Sequence, residues 1–564
     1  MPQSNRLLPA LVPVLREGYT LDHLRRDAIA GLTVAIVAVP LSMAIAIASG
    51  GTPATGLYTA IVGGFFISAL GGSRYQIGGP AGAFIVLVAA TVAEHGIGGM
   101  VIATMLAGLM MGALGLFRLG SYIKFIPYPV TVGFTAGIGT IIFASQIKDL
   151  LGLTLSGPEP GPILEKLPVI WQALPTANPV TIALAAGTVA MIFGLKRFAP
   201  KLPNLLVAVA VTTLAVNLLD LDTPTIFSTF GAVPSMLPAP TLPPLDPALM
   251  LAVLPNAVGF ALLGSIESLL SAVVADGMSG RRHSSNMELV AQGVANVASG
   301  LMGGMVATGT IARTATNVRA NAHSPVAGML HALFILVFMM VAAPVVGMVP
   351  LAALAGILAT VAWNMIERHA IATLFRSSRE DTAVLMVTLL LTVFRDLTEA
   401  IVVGFALGSV LFIHRMSKSA AVSLVEPEGD EEEVVAPTGV SRADEILVYR
   451  INGAFFFGAA ASVGAVLERI ADTHRALVVD FADAAMVDST AIHTIEGMVT
   501  SARRKGVAVI LTGADRALRT QFEMHGLRPP EVEFEGNVQQ GVARARALLG
   551  RAPRMPGATP APAS

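Results

Sequence analysis

The sequence predicts a polytopic α-helical membrane protein with about fourteen transmembrane helices, followed by a small cytoplasmic α/β domain. Three observations predict it. The chain before residue 413 is strongly apolar, it breaks into windows of membrane-crossing length, and after residue 417 it switches to short strand patterns alternating with helical ones. Of 564 residues 54% are hydrophobic and 13% charged, with mean hydropathy +0.71. An ordinary soluble domain carries roughly 25% charged residues, so a soluble chain of this composition would precipitate. A net charge of -1 and a pI near 6.8 leave no basis for nucleic-acid binding. Cysteine is absent, which excludes disulfides, thiol catalysis and zinc-thiolate sites. The apolar run Leu7–Leu15 is broken by Pro9 and Pro13 and lacks a small-residue cleavage site, so it does not read as a signal peptide.

A transmembrane helix needs about 20 mostly apolar residues. Regular windows lie near 54–71, 98–117, 126–146, 178–195, 203–218, 253–275, 324–342, 382–394 and 397–413. Less regular stretches near 29–48, 78–93, 287–304, 308–318 and 343–361 carry Gly, Pro and polar residues that predict bent, short or half-length helices. Basic residues test this count, because Lys and Arg collect in short cytoplasmic loops. With both termini cytoplasmic, Arg25, Arg26, Arg74, Arg118, Lys124, Lys196, Arg197, Lys201, Arg281, Arg282, Arg319, Arg368, Arg376, Arg415 and Lys418 all fall on one side. Arg395, beside Asp396, is the exception, and the Pro-rich loops 150–177 and 220–248 face outward with few basic residues. The expected location is the plasma (inner) membrane.

Glu426, Glu428, Asp430, Glu431, Glu432 and Glu433, closed by Pro437, form an acidic stretch that reads as a solvated hinge. Beyond it ILVYRINGAFFFGAA, ALVVDF and GVAVILTG are strand patterns, and SVGAVLERIADT and AIHTIEGMVTSARRK are helical ones. The expected division is an N-terminal cytoplasmic segment at 1–27, a membrane domain at 28–416, an acidic linker at 417–439, an α/β domain at 440–550 and a disordered tail at 551–564.

Two segments in corresponding halves of the membrane region break the hydrophobic pattern alike. One is Gln76-Ile77-Gly78-Gly79-Pro80-Ala81-Gly82-Ala83, and the other is Gly303-Gly304-Met305-Val306-Ala307-Thr308-Gly309-Thr310-Ile311-Ala312-Arg313. Non-helical backbone at membrane depth survives only where it is buried in protein or lines a wet cavity, and such a pair of interruptions points to a midplane site. Each helix start there offers unpaired N–H groups and the positive end of a dipole, which suits an anion. Arg313, one turn in, either adds a full positive charge to that site, pairs with a carboxylate or snorkels to an interface. Glu267 lies inside the apolar run FALLGSIESLLSAVV. Three readings stay open for it: a proton carrier, a sodium ligand working with Ser271 and the backbone near Gly309, or a static partner of Arg313. Asp276, Arg281, Arg282, His283, Asn286 and Glu288 read mostly as a solvated loop with helix caps. No GxxxxGK[ST], HExxH or GxSxG occurs, so neither nucleotide-driven pumping nor a familiar hydrolase finds support, and no cofactor, metal or enzymatic activity is expected.

The stretch SIESLLSAVVADGMSGRRHSSNMELVAQGVANVASGLMGGMVATGTIARTATNVRANAHSPVAGMLHA resembles the signature region of the SulP family of anion transporters. VPLSMAIAIASGGTPATGLYTA and GGSRYQIGGPAGAF resemble its N-terminal signature, and 440–550 resembles the sulfate transporter and anti-sigma-factor antagonist (STAS) domain. The resemblance implies seven plus seven inverted repeats, divided into core and gate domains and often assembled as a homodimer. It implies an anion site between the third and tenth helices, carried by Gly79, Pro80, Ala81, Ala83, Gly309, Thr310, Ile311, Ala312 and Arg313, with Glu267 and Ser271 at the cation-coupling positions. In the STAS domain Asp488, Ser489 and Thr490 stand at the regulatory position, with Ala491 where the family has Gly and Ser489 expected to cap a helix. The chain also departs from sodium-coupled bicarbonate members, which have Asp at Glu267 and Thr at Ser271, and from many members that have Gln or Glu at Leu41. The function implied is secondary active transport of a small inorganic or carboxylate anion (sulfate-like, bicarbonate or dicarboxylate). Coupling is to H⁺, or alternatively to Na⁺ as in bicarbonate transporters, and a cytoplasmic partner would dock on the STAS domain. An anion-sensing or channel-like protein is the competing class.

Overall fold

The longest helical run, Gly82–Leu116, has 35 residues, or ~52 Å at 1.5 Å per residue, well beyond the ~30 Å hydrocarbon core. It therefore crosses as two legs, and the break is Gly96, whose backbone (φ 69°, ψ -177°) leaves helical space. The structure is a computed structural model that describes residues 7–121, 127–157, 159–200, 202–244, 246–395, 397–419, 421–424, 446–457 and 474–551. They fall into two units, 1–408 and 409–564.

In chain order the helices of the membrane region are α1 (Leu21–Ala48), α2 (Pro53–Leu70, π-helical over Thr59–Gly63), α3 (Ile85–Leu116), α4 (Tyr128–Leu151), α5 (Pro179–Phe198), α6 (Asn204–Leu218) and α7 (Leu254–Ser279). They continue as α8 (Ser285–Leu301), α9 (Ile311–Arg319), α10 (Val326–Gly347), α11 (Leu351–Met365), α12 (Arg379–Phe394) and α13 (Leu397–Ser419). Two short strands, β1 (Gly78–Gly79) and β2 (Thr308–Gly309), precede α3 and α9. With α3 counted as two legs, these are the fourteen expected segments.

Their packing repeats with an offset of seven. The first segment, α1, packs on the eleventh, α10, just as the eighth, α7, packs on the fourth, the second leg of α3. Likewise α4 lies against α12 as α11 lies against α5, while β1 pairs with β2. Small residues allow the close approaches: a methyl on Gly293 of α8 would meet the Gly108 carbonyl of α3 at 2.7 Å and the Gly112 N–H at 2.6 Å.

Several boundaries differ from expectation. The 29–48 stretch is part of an unbroken 28-residue helix that starts at Leu21, inside the supposed N-terminal segment, because Thr20 and His23 form a capping box. Pro40 removes one backbone bond without ending the helix, as membrane helices tolerate. Pro344 is likewise absorbed into α10, and the break falls at Pro350, whose extended backbone starts α11. The polar cluster at the end of α7 is a solvated loop only at Arg281 and Arg282. His283, Asn286 and Glu288 are buried, with the Glu288 carboxylate accepting the N–H groups of Gly72 (2.9 Å) and Ser73 (3.1 Å) and the Gln292 amide (3.1 Å). A second knot forms where Asp27 accepts from Tyr19 Oη (2.7 Å), from the N–H groups of His323 (2.6 Å) and Ser324 (3.0 Å), and from the Ser324 hydroxyl.

In the second unit β3 (Ala421–Leu424), β4 (Ile446–Phe455), β5 (Ala476–Asp480), β7 (Ala508–Thr512) and β8 (Glu533–Glu535) form a sheet in that order, and β6 (Ala484–Val487) pairs with β4. Strands β4, β5, β7 and β8 are parallel, with Val448 beside Val478 and Val478 beside Ile510. One face buries Ile451, Leu477, Val479 and Leu511 against Ile495 and Val499 of α14 (Ser489–Arg504) and Phe522 of α15 (Arg516–Met524). The other buries Val448, Val478 and Ile510 against Val542 and Ala545 of α16 (Val538–Arg551). The predicted α/β domain is present. The supposed linker at 417–439 is entered by α13, which runs to Ser419, and its residues 421–424 pair with β4 instead. The acidic residues Glu426–Glu433, Pro437, the helical pattern SVGAVLERIADT, Lys124, Lys201, Asp396 and the tail 552–564 lie outside the described residues.

Candidate functional site

Each half of the membrane region brings one strand and one helix start to a single crossing. Gly78 pairs with Gly309 and Gly79 with Thr308 in antiparallel register, and the Thr310 N–H donates to the Ile77 carbonyl at 3.0 Å. Because the two chains run in opposite directions, the helices that follow leave the crossing on opposite sides and point their N-termini back at it. One begins as a 3₁₀ turn at Gly82–Phe84 after Ala81 and continues as α3, and the other is α9, beginning after Thr310. Neither start has a side-chain cap, so first-turn N–H groups and the positive dipole ends face the gap. Ala81, Ala83 and Thr310 are buried, whereas Ile311 and Ala312 are exposed.

Arg313 is 3% exposed. Its Nη2 donates to Ser42 Oγ of α1 (3.1 Å) and to the Pro80 carbonyl (3.2 Å), while Nε and Nη1 have no partner. A buried cation held only by neutral acceptors is costly, and an anion in the gap would supply both the missing acceptors and the missing charge. Glycine keeps the room: at Gly79 (φ +154°) a methyl would strike the Arg313 guanidinium, and at Gly309 it would strike the Gln76 carboxamide. Gly79→Ala is therefore expected to displace the guanidinium and reproduce the anion-binding defect of Arg313→Ala, which side-by-side titration of the two purified variants checks.

Glu267 and Arg313 form no ion pair within 4.0 Å among the described residues, and Glu267 Oε2 is buried without a partner. The reading of Glu267 as a static ion-pair partner of Arg313 fails on this geometry. Ser271 does not bond Glu267. Its hydroxyl donates to Thr314 Oγ1 (3.0 Å), which also accepts the Ile77 N–H (3.1 Å), so Ser271 ties α7 to α9 and to the approach of β1. Gln76 Nε2 donates to Ser268 Oγ (2.8 Å) and to its carbonyl (3.1 Å), leaving Oε1 without a partner.

A model of the sulfate permease family matches residues 24–388, more than half of the chain, and a STAS-domain model matches 439–541. The chain belongs to the sulfate permease family. It is a multi-pass membrane transporter, not an enzyme. Among this family chain's relatives, the protein described as "Putative sulfate transporter YvdB" of Bacillus subtilis (strain 168) is 39% identical over 514 residues, covering 91% of this chain and 95% of the relative. The bicarbonate transporter BicA of Synechocystis sp. is 31% identical over 519 residues, 89% of this chain and 90% of the relative. The solved transmembrane domain of a cyanobacterium bicarbonate transporter BicA superposes with TM-score 0.62 at 32% identity over 68% of this chain and 98% of that one. Murine Solute Carrier 26 family member A9, an anion transporter in the inward-facing state, shares the fold with TM-score 0.83 at 19% identity over 96% and 94%.

Within this permease the structure brings together Gly79, Pro80, Gly309, Thr310 and Arg313, with Ala81 and Ala83 on the same helix start. Ser42 and Thr314, which the sequence did not single out, bond Arg313 and the approach of β1, and Gln76, the first residue of the interrupted segment, lies against Gly309. The signal for Ser42 was its place two residues after Pro40 in an otherwise apolar helix. Leu41 packs against the hydrophobic core. In the STAS domain Asp488, not Ser489, caps α14: its extended backbone (φ -100°, ψ 176°) lets Oδ1 accept the Ala491 N–H (2.9 Å), and Oδ2 accepts the Phe457 N–H (3.1 Å). Ser489 and Thr490 are exposed on the first turn.

Proposed function

We propose that this transporter carries a small anion (sulfate-like, bicarbonate or dicarboxylate) across the plasma (inner) membrane by H⁺-coupled alternating access. The anion sits between the two helix starts, at Gly79, Pro80, Ala81, Ala83, Gly309, Thr310, Ile311, Ala312 and Arg313. The observation that carries this reading is the buried Arg313 guanidinium with two unpartnered nitrogens, set between two uncapped helix N-termini. Glu267 carries the coupled proton, and Ser271 positions α7 beside it. Both termini are cytoplasmic, and two copies assemble as a homodimer. The exposed Ser489 and Thr490, with Asp488, form the regulatory surface for a cytoplasmic partner. A second reading, Na⁺-coupled bicarbonate transport, draws on the similarity to BicA. Uptake into proteoliposomes of sulfate, bicarbonate and succinate, each under an imposed proton or sodium gradient, tests both. Uptake driven by protons supports the first reading, uptake driven by sodium the second, and gradient-independent conductance overturns both.

We further propose that 28–416 and 440–550 are separate modules. Deleting residues 440–564 is expected to leave a membrane region that folds and binds anion with unchanged affinity, as gel filtration and equilibrium binding would show. Complete loss of binding in a well-folded truncate refutes this.

A further inference from the structure

His331 of α10 is 0% exposed, and neither ring nitrogen has a hydrogen-bond partner. A neutral imidazole buried there leaves a donor and an acceptor unsatisfied, a cost that an apolar side chain of similar size would avoid. The ring lies behind the crossing. A methyl on Gly64 of α2 would sit 4.0 Å from His331 Nδ1 and 2.9 Å from the Gly78 carbonyl oxygen. A methyl on Gly78 would meet Ile67 of α2, and one on Gly79 would meet the Arg313 guanidinium. The imidazole and the guanidinium thus both lie near β1, the first through Gly64 and the Gly78 carbonyl and the second through Gly79.

Few other charges face the ring. Helix α10 has no other titratable residue. Of the elements packed on it, α1 brings Asp27, whose carboxylate already accepts four hydrogen bonds, and Asp22, His23, Arg25 and Arg26 in its first two turns. Helix α2 brings only Tyr58, and the short helix Ile226–Phe230 brings none. Arg313 is the buried charge beside the same strand, and Glu267 lies on α7. With the gap empty, Arg313 opposes a second positive charge near the strand. An anion in the gap offsets Arg313 and attracts a proton to the ring.

We propose that His331 is a second proton-binding residue of the transport cycle, taking up a proton from water when an anion occupies the crossing and releasing it when the anion leaves. This rests on the crossing being the anion site. Proton and anion then favour each other's binding, and the coupling is reciprocal. The test is calorimetric titration of the full-length chain with sulfate, bicarbonate and succinate in turn, in buffers of different ionisation enthalpy, which counts protons taken up per anion bound. In the Glu267→Gln background, uptake is expected to persist and to vanish when either His331→Asn or His331→Gln is added. Equal counts with and without the His331 change overturn the proposal, as does a loss of affinity that is the same at every pH. Infrared difference spectra of the Glu267→Gln chain on anion addition give a reading without touching residue 331: a new imidazolium band supports the proposal, and its absence overturns it. Failure of the anion-site reading looks different, because Arg313→Ala would then leave the affinity for all three anions unchanged.

Discussion

Glu267→Gln is expected to keep anion binding while lowering the accumulation ratio about tenfold for each unit of imposed pH gradient, because one proton crossing one pH unit contributes ~1.4 kcal/mol. The glutamine keeps the shape of the protonated acid and removes its titration. The motive is a carboxyl group on α7 with one buried, unpartnered oxygen and no ion pair to the nearby guanidinium. In apolar surroundings the neutral acid costs less than the carboxylate, so the group exchanges a proton readily as its surroundings change. An anion in the gap repels the ionised form, so anion and proton stabilise each other, as symport requires. Proteoliposome uptake at a series of imposed pH gradients measures the effect. A Gln variant that accumulates anion like the unmodified chain, or uptake that rises with sodium at fixed pH, would move Glu267 to a sodium site.

Arg313→Ala is expected to weaken anion binding at least tenfold, since a charge-assisted contact is worth roughly 1.5–3 kcal/mol. The loss has two sources. The anion gives up the donors Nε and Nη1, and the Ser42 hydroxyl and Pro80 carbonyl lose the Nη2 that ties α1 to the crossing. Arg313→Lys separates them, because a lysine keeps the charge without the planar fork. Binding in detergent should rank the unmodified chain above Lys and Lys above Ala. Unchanged affinity in the Ala variant assigns Arg313 a structural role only.

Much of this architecture was legible along the chain. Span count follows from apolar length, and the two interrupted segments stand out because glycine, proline and threonine at membrane depth need a reason that neighbouring residues do not supply. The family signature around Glu267 and Arg313 was readable for the same reason, as a continuous stretch. Helix boundaries at Pro40, Pro344 and Pro350 were harder, because whether a proline ends a helix depends on what satisfies the freed carbonyl. The Asp27 and Glu288 knots were not legible: the partners of Asp27 include N–H groups 296 and 297 residues away, and those of Glu288 include N–H groups 215 and 216 residues away.

The sequence by itself determined the membrane class, the number of segments, the small parallel-sheet domain and the two helix starts that suit an anion. These depend on hydrophobic length, strand periodicity and local backbone chemistry, all of which act over a few turns. Only the tertiary structure decided the state of the charges at the crossing. It brought Ser42, 271 residues distant in the chain, to Arg313, and it kept Glu267 out of ion-pair reach. It also left His331 buried without a hydrogen-bond partner beside Gly64 of α2. Pairing of buried charges is a property of three-dimensional distance in a medium of low dielectric, where a displacement of a few ångströms separates a neutralised pair from a free binding site.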